Sequence, residues 1–186
     1  ENQGFNYIFE TCNSITSNIK YLKELANSRP KHLKSNLLVY ARANEITEET
    51  VEYLAGINAD KVIFGFDSGS NKALAQGIGK GISQANTNIK AATLLDKNNI
   101  KIYGCYVPGA ANDTPETLQE TTNQIIEIVN MKNCSTIEYT SLAPMYSSRA
   151  WSFIEKAYFE KYGVSDILNV VNMAKIWVET RCPNIT

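Results

Sequence analysis

The tetrapeptide Asp67-Ser68-Gly69-Ser70 places a carboxylate and two hydroxyl groups directly after the apolar run at residues 61–66. A carboxylate at the end of a strand can accept hydrogen bonds from the paired hydroxyl groups of a ribose, or it can coordinate a hard cation. The same side chains could instead cap a short turn before residues 71–74. The pattern therefore predicts a diol or cation site, with a capped turn as the alternative.

Arg42 carries a positive charge to the end of another strand-like run, NLLVYA at residues 36–41. That run is almost continuously apolar, which is typical of a strand buried on both faces of a parallel sheet. A charge directly after it needs a partner. The partner is either a ligand anion or a carboxylate of the protein, for which Glu45 and Asp67 are the candidates.

The segment GIGKGIS at residues 77–83 has the glycines and the lysine of a phosphate-binding loop but not their spacing. A P-loop requires a glycine where Leu74 stands, and a serine or threonine directly after Lys80, where this chain has glycine. We therefore expect a flexible turn that leads into a helix capped by Ser83. Lys80 could still reach an anion from this turn.

The four cysteines, Cys12, Cys105, Cys134 and Cys182, are scattered along the chain. No two of them have the close spacing of a zinc knuckle, so free thiols are expected. The chain contains one histidine, His32, which argues against most histidine-rich metal sites. Because lysines flank it, we predict a solvated loop there and no serine–histidine–aspartate triad.

Strand-like runs alternate with amphipathic segments along the whole chain, which is the pattern of an α/β fold with a parallel sheet and flanking helices. We predict strands at 5–10, 36–41, 61–66, 100–107 and 136–142. We predict helices at 14–27, 47–56, 83–98, 114–130, 149–161 and 165–180. The pattern leaves open whether the sheet is doubly wound or forms a partial TIM-type barrel; in both cases ligands bind at the carboxyl ends of the strands.

The length of 186 residues, with 44% hydrophobic and 20% charged residues, suits one globular domain. We divide it into a βα core at 1–145 and C-terminal helices at 146–186. A net charge of −1 argues against bulk electrostatic binding of nucleic acid. The sequence contains no apolar run long enough to span a bilayer and no secretory signal, so we expect no membrane partner and a cytoplasmic location.

Four stretches, in this order, resemble the radical S-adenosylmethionine (SAM) superfamily, specifically its cobalamin-binding and elongator-like branch. They are YARANEITEETVEYLAGINADKVIFGFDSGSNKAL, KGIS, NNIKIYGCYVPGAANDTPETLQETTNQI and LAPMYSS. The third stretch is similar to the family's Gly-Leu-Pro-Gly-Glu-Thr segment, with Gly109, Asp113 and Thr114 in register. The resemblance covers nearly the whole chain.

The resemblance implies a partial (β/α)6 barrel that holds SAM and a 4Fe-4S cluster, and whose chemistry is the reductive cleavage of SAM to a 5′-deoxyadenosyl radical. It implies that Asp67, with Ser68 beside it, hydrogen-bonds the ribose hydroxyl groups. It also implies that Arg42 meets the methionyl carboxylate or supports that region.

Two further positions carry over from the family as backbone contacts. The resemblance implies that Gly109, which has no side chain, lets the backbone approach the adenine and methionine moieties. It also implies that the backbone from Leu142 to Pro144 meets the adenine edge.

The chain departs from the family in lacking the Cys-x-x-x-Cys-x-x-Cys loop that ligates the cluster. The run at 5–10 resembles the second barrel strand, so we expect a barrel fragment of about five strands whose cluster loop lies outside this chain. Such a fragment would be inactive alone, and its uncovered first strand could drive self-association. Cobalamin, where the parent enzyme uses it, would bind another domain.

Two other hypotheses stay open at this stage. The chain could be a non-catalytic scaffold derived from the same barrel, or a phosphate-binding TIM-type lyase or isomerase that uses Lys80 or Lys101. The substrate, whether a small molecule, a peptide or an RNA, does not follow from the sequence.

Overall fold

The computed structural model describes residues 5–80, 84–111, 113–164 and 169–182. The five strands are β1 (Tyr7–Glu10), β2 (Asn36–Ala41), β3 (Ala59–Asp67), β4 (Lys101–Tyr106) and β5 (Cys134–Tyr139). The six α-helices are α1 (Ile19–Ser28), α2 (Glu48–Gly56), α3 (Ala85–Lys97), α4 (Pro115–Val129), α5 (Glu155–Tyr162) and α6 (Val170–Arg181). A π-helical segment, Ala73–Ile78, follows β3.

All strand pairs are parallel, and the order in the sheet is β1-β2-β3-β4-β5. A doubly wound sheet reverses its strand order at a switch point, whereas this order runs in one direction only. The predicted α/β class is therefore confirmed, and the open choice is decided in favour of a partial (β/α) barrel.

The core lies between one face of the sheet and helices α1–α4. The core contains alternate residues of β3, namely Val62, Phe64 and Phe66, which are fully buried. Leu22 of α1 and Leu95 of α3 are buried in the same cluster. Each such side chain contributes about 1.5–3 kcal/mol by leaving water. The other face of the sheet carries the intervening residues and is not covered by these helices.

The cap residues predicted for two helices are confirmed. Thr47 and Thr114 accept the N3 backbone N–H groups of α2 and α4, in reciprocal capping boxes, and Pro115 opens α4. These caps satisfy N–H groups that have no partner inside the helix. The cap predicted at Ser83 lies outside the described residues, and the described part of α3 begins at Ala85.

The first helix begins later than predicted. Residues Ile15–Ser17 form a 3-10 turn and α1 starts at Ile19, capped by Asn18. The turn forms because the hydroxyl groups of Ser14 and Thr16 donate to the Glu45 carboxylate at 2.6 and 2.7 Å. A tertiary contact therefore replaced the first helical turn that the local pattern favoured.

The C-terminal helices form a second apolar cluster at the carboxyl end of the sheet. It contains Trp151, Tyr158, Met173 and Trp177, and Leu142 packs against it. Strand β5 runs from Cys134 to Tyr139, two residues earlier at its start and three at its end than predicted, and the chain then turns into this cluster. No helix in the described ranges is long and apolar enough to cross a membrane.

Candidate functional site

Asp67 is the last residue of β3 and lies at the carboxyl end of the sheet. The register between β3 and β4 slips between Gly65 and Asp67, and the Asp67 backbone is left-handed with φ 60°. Aspartate tolerates this conformation better than most residues. Because the Asp67 carbonyl accepts from Val107 N at 2.9 Å, the residue stays fixed to the neighbouring strand.

Lys80 forms an ion pair with Asp67, and its ammonium also donates to the Gly65 carbonyl at 2.9 Å. The π-helical segment brings Lys80 back to the strand end, with Gly79 in a left-handed conformation at φ 81°. The Lys80 side chain is 41% exposed and that of Asp67 is 17% exposed. The site thus combines a carboxylate with a partly exposed cation, and the sequence did not predict that these two side chains pair.

Ser68 turns away from this pair. It is buried, its hydroxyl group shares a hydrogen bond with Thr121 of α4 at 2.9 Å, and it accepts from the backbone N–H of Ser70 at 3.1 Å. Gly69 N also donates to Thr121, at 3.1 Å. The turn after β3 is therefore tied to α4, and the Ser68 hydroxyl is committed within the protein.

A buried polar network continues behind this turn. Asn88 donates to the carbonyls of Phe66 and Ser68 and to Gln124 Oε1, at 3.3, 3.2 and 3.0 Å. Tyr106 donates to the same Gln124 oxygen at 2.9 Å, and burial raises the pKa of Tyr106 far above its usual value. This network was not predicted from the sequence; the signal for it is the polar residues at the sheet-facing positions of α3 and α4.

The loop after β4 is held by Asp113. One carboxylate oxygen accepts the backbone N–H groups of Gly109 and Ala110, both at 2.9 Å, and the other accepts from Thr117 Oγ1 at 2.8 Å. Asp113 itself is 4% exposed. The carboxylate therefore fixes the loop against the start of α4.

Gly109 has φ 87° and lies beside the chain that follows β5. Its carbonyl accepts from Trp177 Nε1 of α6, and Leu142 N donates to the carbonyl of Pro108 at 2.9 Å. A Cβ added at Gly109 would lie in van der Waals contact with Leu142 N, at 3.9 Å. The structure therefore brings the Gly109 and Leu142 backbones together. Pro144, two residues after Leu142, is buried.

Arg42 does not join Asp67. Its side chain is 67% exposed and pairs with Glu45, at 3.8 Å between Nη1 and Oε1. Of the two protein partners that the sequence suggested, the structure selects Glu45, whose other oxygen is held by Ser14 and Thr16.

A polar group on the uncovered face of the sheet was also missed. Tyr103 donates to Glu138 Oε2 at 2.8 Å, and the Cys105 thiol lies 3.8 Å from the same oxygen. Burial first, and then the nearby charges of Glu138 and Asp67, raise the pKa of Cys105 to about 11. The thiol is therefore protonated at neutral pH.

The cysteines do not fit an iron–sulfur cluster, which takes its iron ligands from grouped thiolates. All four are free, and no three histidine, cysteine, aspartate or glutamate side chains of the described residues come together as metal ligands. For SAM the donor set fits better, since a carboxylate and a cation share the carboxyl edge of the sheet.

The fold is that of the barrel of radical SAM enzymes, as comparison with solved structures shows. The chain is similar to the radical SAM methyltransferase TsrM from Kitasatospora setae with cobalamin and a 4Fe-4S cluster bound, with a TM-score of 0.68 and 18% identity over 83% of this chain and 29% of that one. It is also similar to the radical SAM enzyme coproporphyrinogen III oxidase HemN from Escherichia coli. The TM-score is 0.62, and the identity is 10% over 75% of this chain and 32% of that one.

A third similar structure is the N-terminally deleted Elp3 of the archaeon Methanocaldococcus infernus, with a TM-score of 0.58 and 16% identity over 91% of this chain and 44% of that one. The chain thus spans less than half the length of each of these proteins. No protein-family model and no curated protein matches the sequence. The expected likeness to radical SAM enzymes is confirmed at the level of the fold.

Proposed function

We propose that this chain forms the SAM-binding part of a radical SAM enzyme. The observation that carries the proposal is the Asp67–Lys80 pair at the carboxyl end of β3, the same edge of the sheet at which the loop with Gly109 follows β4. A ribose diol needs an acceptor, and a methionyl carboxylate needs a cation. Both lie at the edge where parallel βα sheets bind ligands.

The proposed contacts use the side chains of Asp67 and Arg42 and the backbone of the loops that follow β4 and β5. Asp67 accepts from the ribose hydroxyl groups, and the Gly109 backbone passes close to the ligand. The backbone at Leu142 and Pro144 meets the adenine edge. Arg42 binds the methionyl carboxylate and gives up its 3.8 Å contact with Glu45 to do so. Lys80, which pairs with Asp67, is a second cation at this edge of the sheet. Ser68 acts indirectly, by positioning Asp67 through its bond to Thr121.

The described residues of this chain hold no group of cysteines for a 4Fe-4S cluster, so in the proposed enzyme other residues ligate it. The 4Fe-4S cluster supplies the electron that cleaves SAM to the 5′-deoxyadenosyl radical, and cobalamin, where the parent enzyme uses it, binds another domain. We therefore expect the isolated chain neither to assemble the cluster nor to cleave SAM. Reconstitution with iron and sulfide, followed by iron and sulfide analysis, tests this; stoichiometric 4Fe-4S content would overturn it. We also propose that the parent enzyme is an oxidoreductase and that it is located in the cytoplasm.

SAM binding is the direct test of the proposed site. Asp67→Asn should weaken binding of SAM, measured by calorimetry, about tenfold or more, because it removes a charged acceptor. Asp60→Asn is the matched control, since Asp60 also pairs with a lysine, Lys101 at 3.0 Å, but at the opposite end of the strands. Equal weakening by the two substitutions would contradict the proposal, and no binding by the parent chain would favour the scaffold hypothesis.

A lysine-based lyase or isomerase is less well supported. Lys101 is the first residue of β4, at the amino end of the sheet, and its hydrogen bond to Asp60 raises the pKa of its ammonium. A Schiff-base lysine must lose its proton, so this environment opposes the reaction. Borohydride trapping at Lys80 or Lys101 would restore that hypothesis.

A further inference from the structure

A cleft of about 350 Å³ lies between the π-helical segment, the loop after β4 and the C-terminal helices. We propose that it binds an anionic group, a carboxylate or a phosphate, carried on an aromatic or apolar body. Neither Asp67 nor Lys80 lines this cleft, and the proposal does not depend on SAM binding.

The cleft is positively charged, and the described residues supply no counterion for it. Arg149 and Arg181 line it, and no aspartate or glutamate does. Across the described ranges, neither arginine forms an ion pair, whereas the strand-end lysines Lys80 and Lys101 each have a carboxylate. Two arginines that face one cavity without a counterion favour an anion from outside the chain.

Arg181 is already held in place. Its guanidinium carbon lies 4.7 Å from the centre of the Phe153 ring, and its Nε–H is buried without an acceptor among the described residues. Stacking on an aromatic ring orients the guanidinium without using its hydrogen-bond donors. A ligand therefore meets a preorganised cation, which lowers the entropy cost of binding.

Apart from Gln76, the other side chains that line the cleft are apolar and include Ile78, Ala111, Phe153 and Trp177. Such walls suit the body of a ligand whose charged end is bound by the arginines. Trp177 also connects the cleft to the loop after β4, because its indole N–H donates to the Gly109 carbonyl. A bound ligand should therefore perturb this N–H.

The two tryptophans of the chain provide the experiment. Trp177 lines the cleft and Trp151 does not, so titration of the 15N-labelled chain with phenyl phosphate or phenylacetate should shift the Trp177 indole resonance and leave that of Trp151 in place. Trp151→Phe assigns the two signals. We expect saturation with a dissociation constant on the order of millimolar, as suits small fragments. The probe with the lower dissociation constant shows whether the site prefers a phosphate or a carboxylate.

Arg149→Gln and Arg181→Gln should each weaken binding of the better probe about tenfold. Lys175→Gln removes one charge from α6 outside the cleft and should leave the affinity unchanged. The proposal fails if neither anion gives a saturable Trp177 shift, if neutral benzyl alcohol binds equally well, or if either arginine substitution has no effect.

Discussion

Asp67 and Asp60 show how the position of a carboxylate decides its use. Both lie on β3 and both pair with a lysine, but Asp67 is at the carboxyl end of the strand and Asp60 at the amino end. Burial opposes ionisation of Asp60, yet the hydrogen bonds from Tyr7 and Lys101 lower its pKa. Asp60 is thus a tightly held structural charge, whereas Asp67 faces the edge where ligands bind.

Cys105 gives a pH-dependent prediction at the residue scale. Its pKa of about 11 lies above the ordinary value of 9.0, so the unfolded chain loses this proton first. Its contribution to stability is therefore complete below pH 9 and is lost as the pH rises towards 11. Glu138→Gln should lower the pKa and raise alkylation of Cys105 by iodoacetamide at pH 9 about threefold or more.

Peptide-resolved mass spectrometry measures that rate for Cys105 apart from the other three cysteines. Glu127→Gln, which neutralises an exposed acid on α4, is the control and should leave the rate as it is. A rate in Glu138→Gln equal to that of the parent would show that Glu138 does not influence the thiol.

At the scale of elements, the loops at the carboxyl edge are shaped by contacts to the helices behind them. The turn after β3 is tied to α4 through Thr121, and the loop after β4 through Asp113. Rigid attachment of loops to helices is what holds a ligand site in one geometry. The helices therefore position the site as well as cover the core.

Removing the Asp113 carboxylate should be strongly destabilising. Asp113→Ala leaves the N–H groups of Gly109 and Ala110 buried without acceptors, and it also breaks the bond to Thr117. We expect a loss of about 3 kcal/mol in the free energy of unfolding, measured by urea denaturation. Glu120→Gln, at an exposed position of α4, should change it by less than about 0.5 kcal/mol. Equal midpoints for the two variants would contradict this role.

The contact between the turn after β3 and α4 leaves no room for a side chain at Gly69. An added Cβ would lie 2.8 Å from Thr121 Cα and 2.9 Å from the Glu120 carbonyl, whereas at Gly65 the nearest atom is a side-chain oxygen at 3.6 Å. Gly69→Ala should therefore lower the free energy of unfolding by about 2 kcal/mol, and Gly65→Ala by much less. Thermal melts of the pair test this, and the reverse order would show that the turn is mobile.

At the scale of the whole molecule, the sheet has two edges and one uncovered face. β1 forms one edge, and its side chains are exposed, Tyr7 by 54% and Phe9 by 47%. Unpaired strand edges with apolar side chains readily pair with another chain. We propose that the β1 edge is where this chain associates with a second copy.

Ile8→Lys should shift the isolated chain towards the monomer, because a charge on an edge strand opposes pairing with another strand. Sedimentation velocity at several concentrations measures the shift. Tyr139→Lys is the control, since Tyr139 is similarly exposed on β5 at the other edge. A monomeric parent chain, or an equal effect of both substitutions, would refute the proposal.

The sequence by itself determined the α/β class, the order of the elements, the capped starts of α2 and α4, and the strand-end position of Asp67. These features depend on local chemistry, namely the period of apolar residues and the hydrogen-bonding needs of helix ends. The lysine partner of Asp67, the inward turn of Ser68, the late start of α1 and the cleft between Arg149 and Arg181 were decided only by the tertiary structure. Each of them joins side chains whose meeting depends on how the strands close and the helices pack, which no local pattern records.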